Sequence, residues 1–366
     1  MLTKVKNIIT VVLISGFILS FLIVFLVTDA KESSISERRK LAQFPKLNKE
    51  TVLNTEFMSE FESYTLDQFP LRDKFRTLKA TVLYNVMQMK DNNDIYVVDG
   101  YASKLDYPLN VDSLDYASRR IGYVYDKYLK DTEAKVYMSI IPDKNYFLAE
   151  KNGYPALDYN KLVEVMQEKN QYASYIDIFP TLELKDYYKT DTHWRQERIN
   201  LTAAKLAEGM NIKFVPNRAM IEVSEPFYGV YYGQAALPME PEKLYYVESS
   251  SFADCKVFDY ETNSEMPVYD MEKLKSPDLY EIYLSGSKSL ITIENPFAVT
   301  DRELIIFRDS FGSSIAPYFI DSYSKITIID IRYIHPDVLG NFVKFNNQDV
   351  LFLYSTLVLN NSVTFK

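Results

Sequence analysis

The spacing of apolar positions divides the chain into segments of different character. Residues 8–27 read IITVVLISGFILSFLIVFLV, 20 residues without a charge. At about 1.5 Å per residue such a helix spans about 30 Å, the hydrocarbon depth of a bilayer. A cleaved signal peptide has a shorter apolar stretch and a clear small-x-small site. The best candidate site here, Thr28-Asp29-Ala30, is weak. The segment therefore reads as an uncleaved transmembrane anchor behind a short flank, residues 1–7. Residues 28–55 are polar and charged, contain Pro45, and read as a stalk. Over residues 56–89 Phe57, Phe61, Tyr64, Leu78, Val82 and Val86 recur near helical spacing, with a break at Phe69-Pro70.

The period then alternates. Residues 94–99 predict a short strand that turns at Gly100. Leu114, Ala117, Ile121, Val124 and Tyr128 share one face of a helix over 111–130. Residues 135–141 form a compact apolar strand stopped by Pro142-Asp143, Leu162, Val165 and Met166 belong to a helix, and 172–179 read as another strand. A helix over 195–210 carries Ile199, Ala203, Leu206 and Met210, and short apolar runs follow at 304–307, 325–331 and 350–354. Continuous apolar strands alternating with helices predict an α/β fold, a parallel sheet covered by helices on both faces. Residues 215–300 are rich in Tyr, Ser, Glu and Pro with short runs such as 290–293, and read as a β-rich insertion in one domain, 56–366.

Composition narrows the function. The 366 residues are 47% hydrophobic and 25% charged, which excludes a disordered chain, a collagen-like repeat and a polytopic membrane protein. Against 41 basic residues stand 50 acidic ones, a net charge of −9, which suits no nucleic-acid partner. One cysteine, Cys255, excludes an internal disulfide and a thiolate metal centre, and two histidines leave little for a His-rich one. Neither a metal nor a cofactor is expected. Lys4 and Lys6 precede the anchor while Lys31, Arg38, Arg39 and Lys40 follow it, so the charge count does not assign the side on which the domain lies.

The strand at 304–307 runs into Arg308-Asp309-Ser310-Phe311-Gly312-Ser313-Ser314. A nucleophilic serine commonly sits where a strand turns sharply into a helix, exposed at the strand's carboxyl end beside helix N-terminal amides that stabilise an oxyanion. Gly312 gives the turn freedom. The segment reads equally well as Asp309 and Ser310 capping a helix that begins near Ser313. A serine needs a base. His193, in Lys189-Thr190-Asp191-Thr192-His193-Trp194, has Asp191 two residues upstream, close enough to hold the imidazole tautomer, and Trp194 beside it to wall the site. In isolation this motif is also a helix N-terminal box with a structural histidine. His335, in a loop restrained by Pro336, ranks second as a base.

Asp191-Thr192-His193-Trp194 followed by a helix, with Arg308-Asp309-Ser310-Phe311-Gly312 much later, resembles the DHHW group, relatives of the alginate O-acetyltransferases within the SGNH hydrolase superfamily. Residues 37–45, ERRKLAQFP, and 67–73, DQFPLRD, fit the same resemblance, which covers nearly the whole chain. Ordinary SGNH enzymes place the serine first and the Asp/His pair last; here the order is permuted, as in the alginate branch. Thr192 stands where the group has a second histidine, and Arg308 replaces the superfamily's usual glycine.

The resemblance implies an extracytoplasmic, membrane-anchored O-acetyltransferase acting on a cell-surface polysaccharide or secreted exopolysaccharide. Ser310 would carry the acetyl group and His193 would act as base, with Asp191 behind it. A membrane-bound O-acyltransferase partner would supply the acetyl group. An acetylesterase of the same fold, or a noncatalytic polysaccharide-binding or assembly protein, are the other readings. For oxyanion or substrate contacts, Arg308, Asn145, Lys144 and Trp194 are candidates, although Pro142-Asp143-Lys144-Asn145 also reads as a plain surface turn. Tyr228, Gly229, Tyr231, Tyr232 and Gly233 read as a sugar platform or as core aromatics.

Overall fold

The computed structural model describes residues 2–216, 218–223 and 226–366. Contacts divide the chain into two units, one of residues up to Asn92 with Gly233–Pro238, the other of Asn93–Tyr232 with Met239–Lys366.

In the first unit, helix α1 (Leu2–Val27) contains a 25-residue stretch long and apolar enough to cross a membrane, with most of its side chains exposed and Phe21 and Phe25 half-buried. The segment after it is more ordered than a plain stalk: Ser33–Ser34 pairs with Arg39–Lys40, and Lys49–Leu53 is a short helix capped by Asn48. Helices α2 (Glu56–Asp67) and α3 (Arg72–Thr81) are separated at Phe69-Pro70, as the proline requires. Charged pairs knit the unit together. Asp67 accepts from Arg39 at 2.6 Å, and Glu37 gathers Arg72, Arg39 and Arg76.

The second unit is built on an eight-stranded sheet. Its strands are β1 (Lys135–Ile141), β2 (Ser174–Tyr175), β3 (Lys256–Asp259), β4 (Ser264–Met266), β5 (Leu290–Glu294), β6 (Glu303–Arg308), β7 (Lys325–Ile329) and β8 (Asp349–Ser355), in the order β4-β3-β5-β7-β6-β8-β1-β2. From β7 to β2 the strands run parallel. The β5, β3 and β4 edge is antiparallel, so the sheet is mixed rather than wholly parallel. All three antiparallel strands come from the 215–300 insertion, whose β3–β4 hairpin needs no crossover helix.

Alternating side chains of each strand enter opposite cores. Leu304, Ile306, Leu351 and Leu353 face one, with Ala203 and Leu206 of α6 (Asn200–Gly209). Ile305, Phe307, Val350 and Phe352 face the other, with Leu114 and Ile121 of α4 (Val111–Val124) and Leu162 of α5 (Tyr159–Lys169). This two-sided burial explains why the strands read as continuous apolar runs. Two elements are shorter than expected. The 172–179 strand contributes only Ser174–Tyr175, because Asp177 accepts the Phe179 N–H and Phe179–Thr181, with Pro180 in its first turn, is helical. The 195–210 helix begins as a separate turn, Gln196–Arg198, before α6.

Candidate active site

Strand β6 pairs on both sides, with β7 and with β8, so its carboxyl end is held at the middle of the sheet. There the chain turns through Asp309 and Ser310 into the short helix α7 (Phe311–Ile315). Asp309 is fully buried and fixes the turn: one carboxylate oxygen accepts the Phe311 N–H at 3.0 Å and the other the Ser355 N–H at 2.7 Å. The turn leaves no room for a larger residue at Gly312, where an added Cβ would lie 2.5 Å from the Arg308 Cβ. Ser310, held at this turn, is partly exposed.

The Asp191–His193 pair comes from a narrow loop whose two arms pair like a hairpin. Tyr187 bridges Trp194, the Tyr188 N–H donates to the His193 carbonyl at 3.1 Å, and the Arg195 N–H to the Asp186 carbonyl at 2.7 Å. At its tip His193 Nδ1 lies 2.5 Å from Asp191 Oδ1, and His193 Nε2 lies 2.7 Å from Ser310 Oγ. A carboxylate can only accept, so the imidazole proton sits on Nδ1 and Nε2 accepts the serine hydroxyl. Asp191 is fully buried and also accepts the His193 N–H at 3.1 Å and the Val230 N–H at 2.8 Å. These donors offset the desolvation of a buried carboxylate, which left uncompensated costs several kcal/mol.

The remaining candidates stand elsewhere. Arg308, fully buried, is committed to Asp330 at 3.6 Å and to the Asp309 and Gly286 carbonyls at 3.4 and 3.3 Å. Asn145 is also committed: its Oδ1 accepts the Tyr96 hydroxyl at 2.6 Å and its Nδ2 donates to the Pro155 carbonyl at 3.3 Å. Neither it nor Lys144 lies on a surface turn, since both are buried. Lys144 supports the histidine loop from below, donating to the Tyr188 and Lys189 carbonyls at 2.9 and 3.3 Å. Burial pushes its ammonium pKa down to about 7, opposed by the charge of Asp191. Trp194 is fully buried and donates to Ser314 Oγ at 2.8 Å, so it braces α7 against the loop. His335 caps a helical turn by accepting the Asp337 N–H at 3.2 Å, with its side chain half exposed.

Several supports were not legible in the sequence. Tyr280, from the insertion, stacks on the His193 ring with centroids 3.8 Å apart, and its hydroxyl meets Ser314 Oγ at 2.7 Å. Gln196 ties the same helix to the insertion, donating to the Ser314 carbonyl and accepting the Val247 N–H. Glu242 accepts the Lys189 and Thr190 N–H groups, each at 2.8 Å. Of the residues read as a sugar platform or as core aromatics, Gly229 and the buried Tyr231 brace this loop. Gly229 donates to Thr190 Oγ1, while the Tyr231 N–H bonds the Thr190 carbonyl and the Tyr231 hydroxyl lies 3.1 Å from Thr192 Oγ1. Among the described residues no group of three or more His, Cys, Asp or Glu side chains is placed to hold a metal ion.

No protein-family model and no curated protein matches the sequence. Solved structures do match in fold. A DHHW family protein from Eubacterium siraeum superposes with a TM-score of 0.61 at 21% identity, over 74% of this chain and 93% of that one. PatB1 from Bacillus cereus gives 0.57 at 17% identity, over 72% of this chain and 96% of that one. A second PatB1 structure, with a sulfonyl adduct, gives 0.56 at 18%. The α/β fold expected from the resemblance is therefore the fold of this chain.

Proposed function

We propose that this chain is a membrane-anchored O-acetyltransferase that moves an acetyl group, through an ester on Ser310, onto a hydroxyl of a cell-surface or secreted polysaccharide. The observation that carries the reading is the unbroken chain Asp191 Oδ1, His193 Nδ1, His193 Nε2, Ser310 Oγ, with links of 2.5 and 2.7 Å. Ser310 Oγ attacks the acetyl carbonyl as its proton passes to His193 Nε2. The tetrahedral intermediate collapses, and the imidazolium returns that proton to the departing group of the donor. In the second half His193 takes the proton of a sugar hydroxyl as it attacks the ester; the intermediate collapses, the C–O bond to Ser310 breaks, and the imidazolium returns the proton to Ser310 Oγ. The Phe311, Gly312 and Ser313 N–H groups already bond to Asp309 Oδ1, the Asp309 carbonyl and the Ser310 carbonyl. That leaves the Ser310 N–H as the oxyanion donor from this turn.

Helix α1 would hold the domain at the outer face of a membrane, beside a membrane-bound O-acyltransferase that delivers the acetyl group, within reach of the polysaccharide. The test uses the purified full chain in detergent with p-nitrophenyl acetate, followed by intact mass and by a polysaccharide acceptor. A single acetyl adduct, lost in Ser310→Ala and passed to the acceptor in competition with water, supports the transferase. Acetate release with no transfer makes the chain an acetylesterase. A folded protein that neither acylates nor reacts with a sulfonyl fluoride, the reagent class suggested by the PatB1 adduct, is a binding or assembly module.

A further inference from the structure

Helix α3 and the turn that continues it, Val82–Val86, carry an apolar stripe on the wrong side for a core. Leu71, Phe75, Leu78, Val82 and Val86 follow one another at intervals of three or four residues, and all are exposed, Leu78 at 58% and Val86 at 73%. The inward face is formed instead by Arg72, Arg76 and buried Ala80: Arg72 pairs with Glu37, and Arg76 donates to the Gly233 carbonyl at 2.7 Å. Projected at about 100° per residue, the exposed stripe occupies under a third of the helix circumference. Lys74 and Lys79, both exposed, fall on its two sides.

An apolar face flanked by lysines is the pattern of a helix lying in a lipid interface, its apolar side sunk about 5–10 Å and its ammonium groups among the phosphates. A second observation selects lipid as the occupant. The Phe21 ring of α1 stacks on Phe69 at 5.5 Å and touches Phe75 at 5.7 Å, so the stripe begins in contact with the candidate membrane span. Phe21 lies six residues before the end of α1 at Val27, about 9 Å along a helix axis. Side chains that touch it are therefore at acyl-chain depth once α1 is inserted.

We infer that the face formed by Leu71, Phe75, Leu78, Val82 and Val86, along α3 and the turns that flank it, docks into the membrane leaflet that α1 leaves on the side of the globular domain, with Lys74 and Lys79 at anionic headgroups. The inference rests on α1 spanning the membrane. Docking would hold the stalk unit flat against the bilayer rather than letting it swing on a tether.

The full chain, with Cys255→Ser and one new cysteine carrying a nitroxide, is reconstituted in vesicles of phosphatidylcholine and phosphatidylglycerol. Collision rates with oxygen and with a water-soluble nickel chelate are read at Leu78→Cys and Val82→Cys. Ile14→Cys reports the span, and Lys161→Cys reports water. The expected oxygen-to-nickel ratio at Leu78 and Val82 is several-fold above that at Lys161 and approaches that at Ile14. Lys74→Glu with Lys79→Glu should lower it in vesicles containing phosphatidylglycerol. Labels at Leu78 and Val82 as open to nickel as Lys161, with Ile14 protected, would overturn the docking while the span stands. Labels shielded from both reagents would also overturn it, because protein rather than lipid then covers the stripe. If Ile14 itself is open to nickel, the span fails and the inference fails with it.

Discussion

The ring of Tyr280 lies flat on the imidazole of His193, centroids 3.8 Å apart and planes 9° from parallel. Its hydroxyl is anchored on Ser314 at 2.7 Å, one helical turn beyond Ser310. The imidazole of His193 and the helix that follows Ser310 are thus registered by one buried side chain from the insertion. Phe311 closes a second side of the imidazole, at 4.9 Å. With Asp191 holding Nδ1, the ring has little freedom to rotate.

In the mechanism proposed above, Tyr280 is a positioning residue. Tyr280→Ala is expected to lower kcat by about 10- to 100-fold, the cost of a displacement on the order of 1 Å in a reacting group, with KM nearly unchanged. Tyr280→Phe keeps the stacked ring and should stay within a few fold. Steady-state kinetics alongside thermal melting checks this: a merely structural role would shift the melting temperature of both variants and leave kcat per folded molecule intact.

Gly229 packs directly against Asp191. A Cβ at this position would lie 2.2 Å from the Asp191 Cβ and 2.4 Å from its backbone nitrogen. Gly229→Ala should cost about 1–3 kcal/mol through overpacking and should slow fluorophosphonate labelling of Ser310. In helix α4, a Cβ added at Gly122 would meet no other element nearer than the Tyr172 hydroxyl at 3.9 Å. Gly122→Ala should instead stabilise by about 0.5–1 kcal/mol and leave labelling unchanged. Denaturant titration of both variants decides the point.

The three residues of the hydrogen-bonded chain should behave as one unit. Asp191→Asn should approach a loss of about 10⁴-fold in kcat, because an amide facing Nδ1 favours the wrong tautomer. The double variant Ser310→Ala with His193→Ala should be no worse than the poorer single variant. Multiplicative losses in acylation rate would mean that His193 and Ser310 act independently.

Asp143 gives the fold a signature in its acid stability. It is buried against the Tyr159 hydroxyl at 2.6 Å, and burial raises its carboxyl from 3.8 to about 6. The folded protein keeps this proton up to about pH 6, while the unfolded chain releases it near 3.8. The group's contribution is therefore fully present below pH 3.8 and is lost as pH rises through 6. Two pH units correspond to about 3 kcal/mol at most. Asp143→Asn keeps an acceptor for Tyr159 and should flatten the dependence of the unfolding midpoint across that window. An unchanged slope would assign it to other groups.

Periodicity and local chemistry carried much of the molecule. The charge-free run at 8–27, the strands around 135–141, 304–307, 325–331 and 350–354, and the helices bearing Leu114 and Leu162 are all local patterns, and each appears close to its expected place. Asp191 and His193 are two residues apart, so their pairing was readable from spacing alone; Ser310 was readable as a strand-to-helix turn. What spacing could not supply was the 117-residue closure that brings His193 Nε2 to 2.7 Å from Ser310 Oγ. The same is true of Tyr280, Gly229 and Glu242, which lie in an insertion of weak periodicity and gain their roles only by docking on the histidine loop. Arg308 and Asn145 show the converse. Their neighbours in sequence suggested the reaction centre, but a side chain's direction is decided by which partners the packed fold places around it. Burial set the Arg308 guanidinium against the opposite charge of Asp330, and it committed the Asn145 amide to Tyr96 and Pro155, since an unpaired amide inside the core costs more than any local preference can offset.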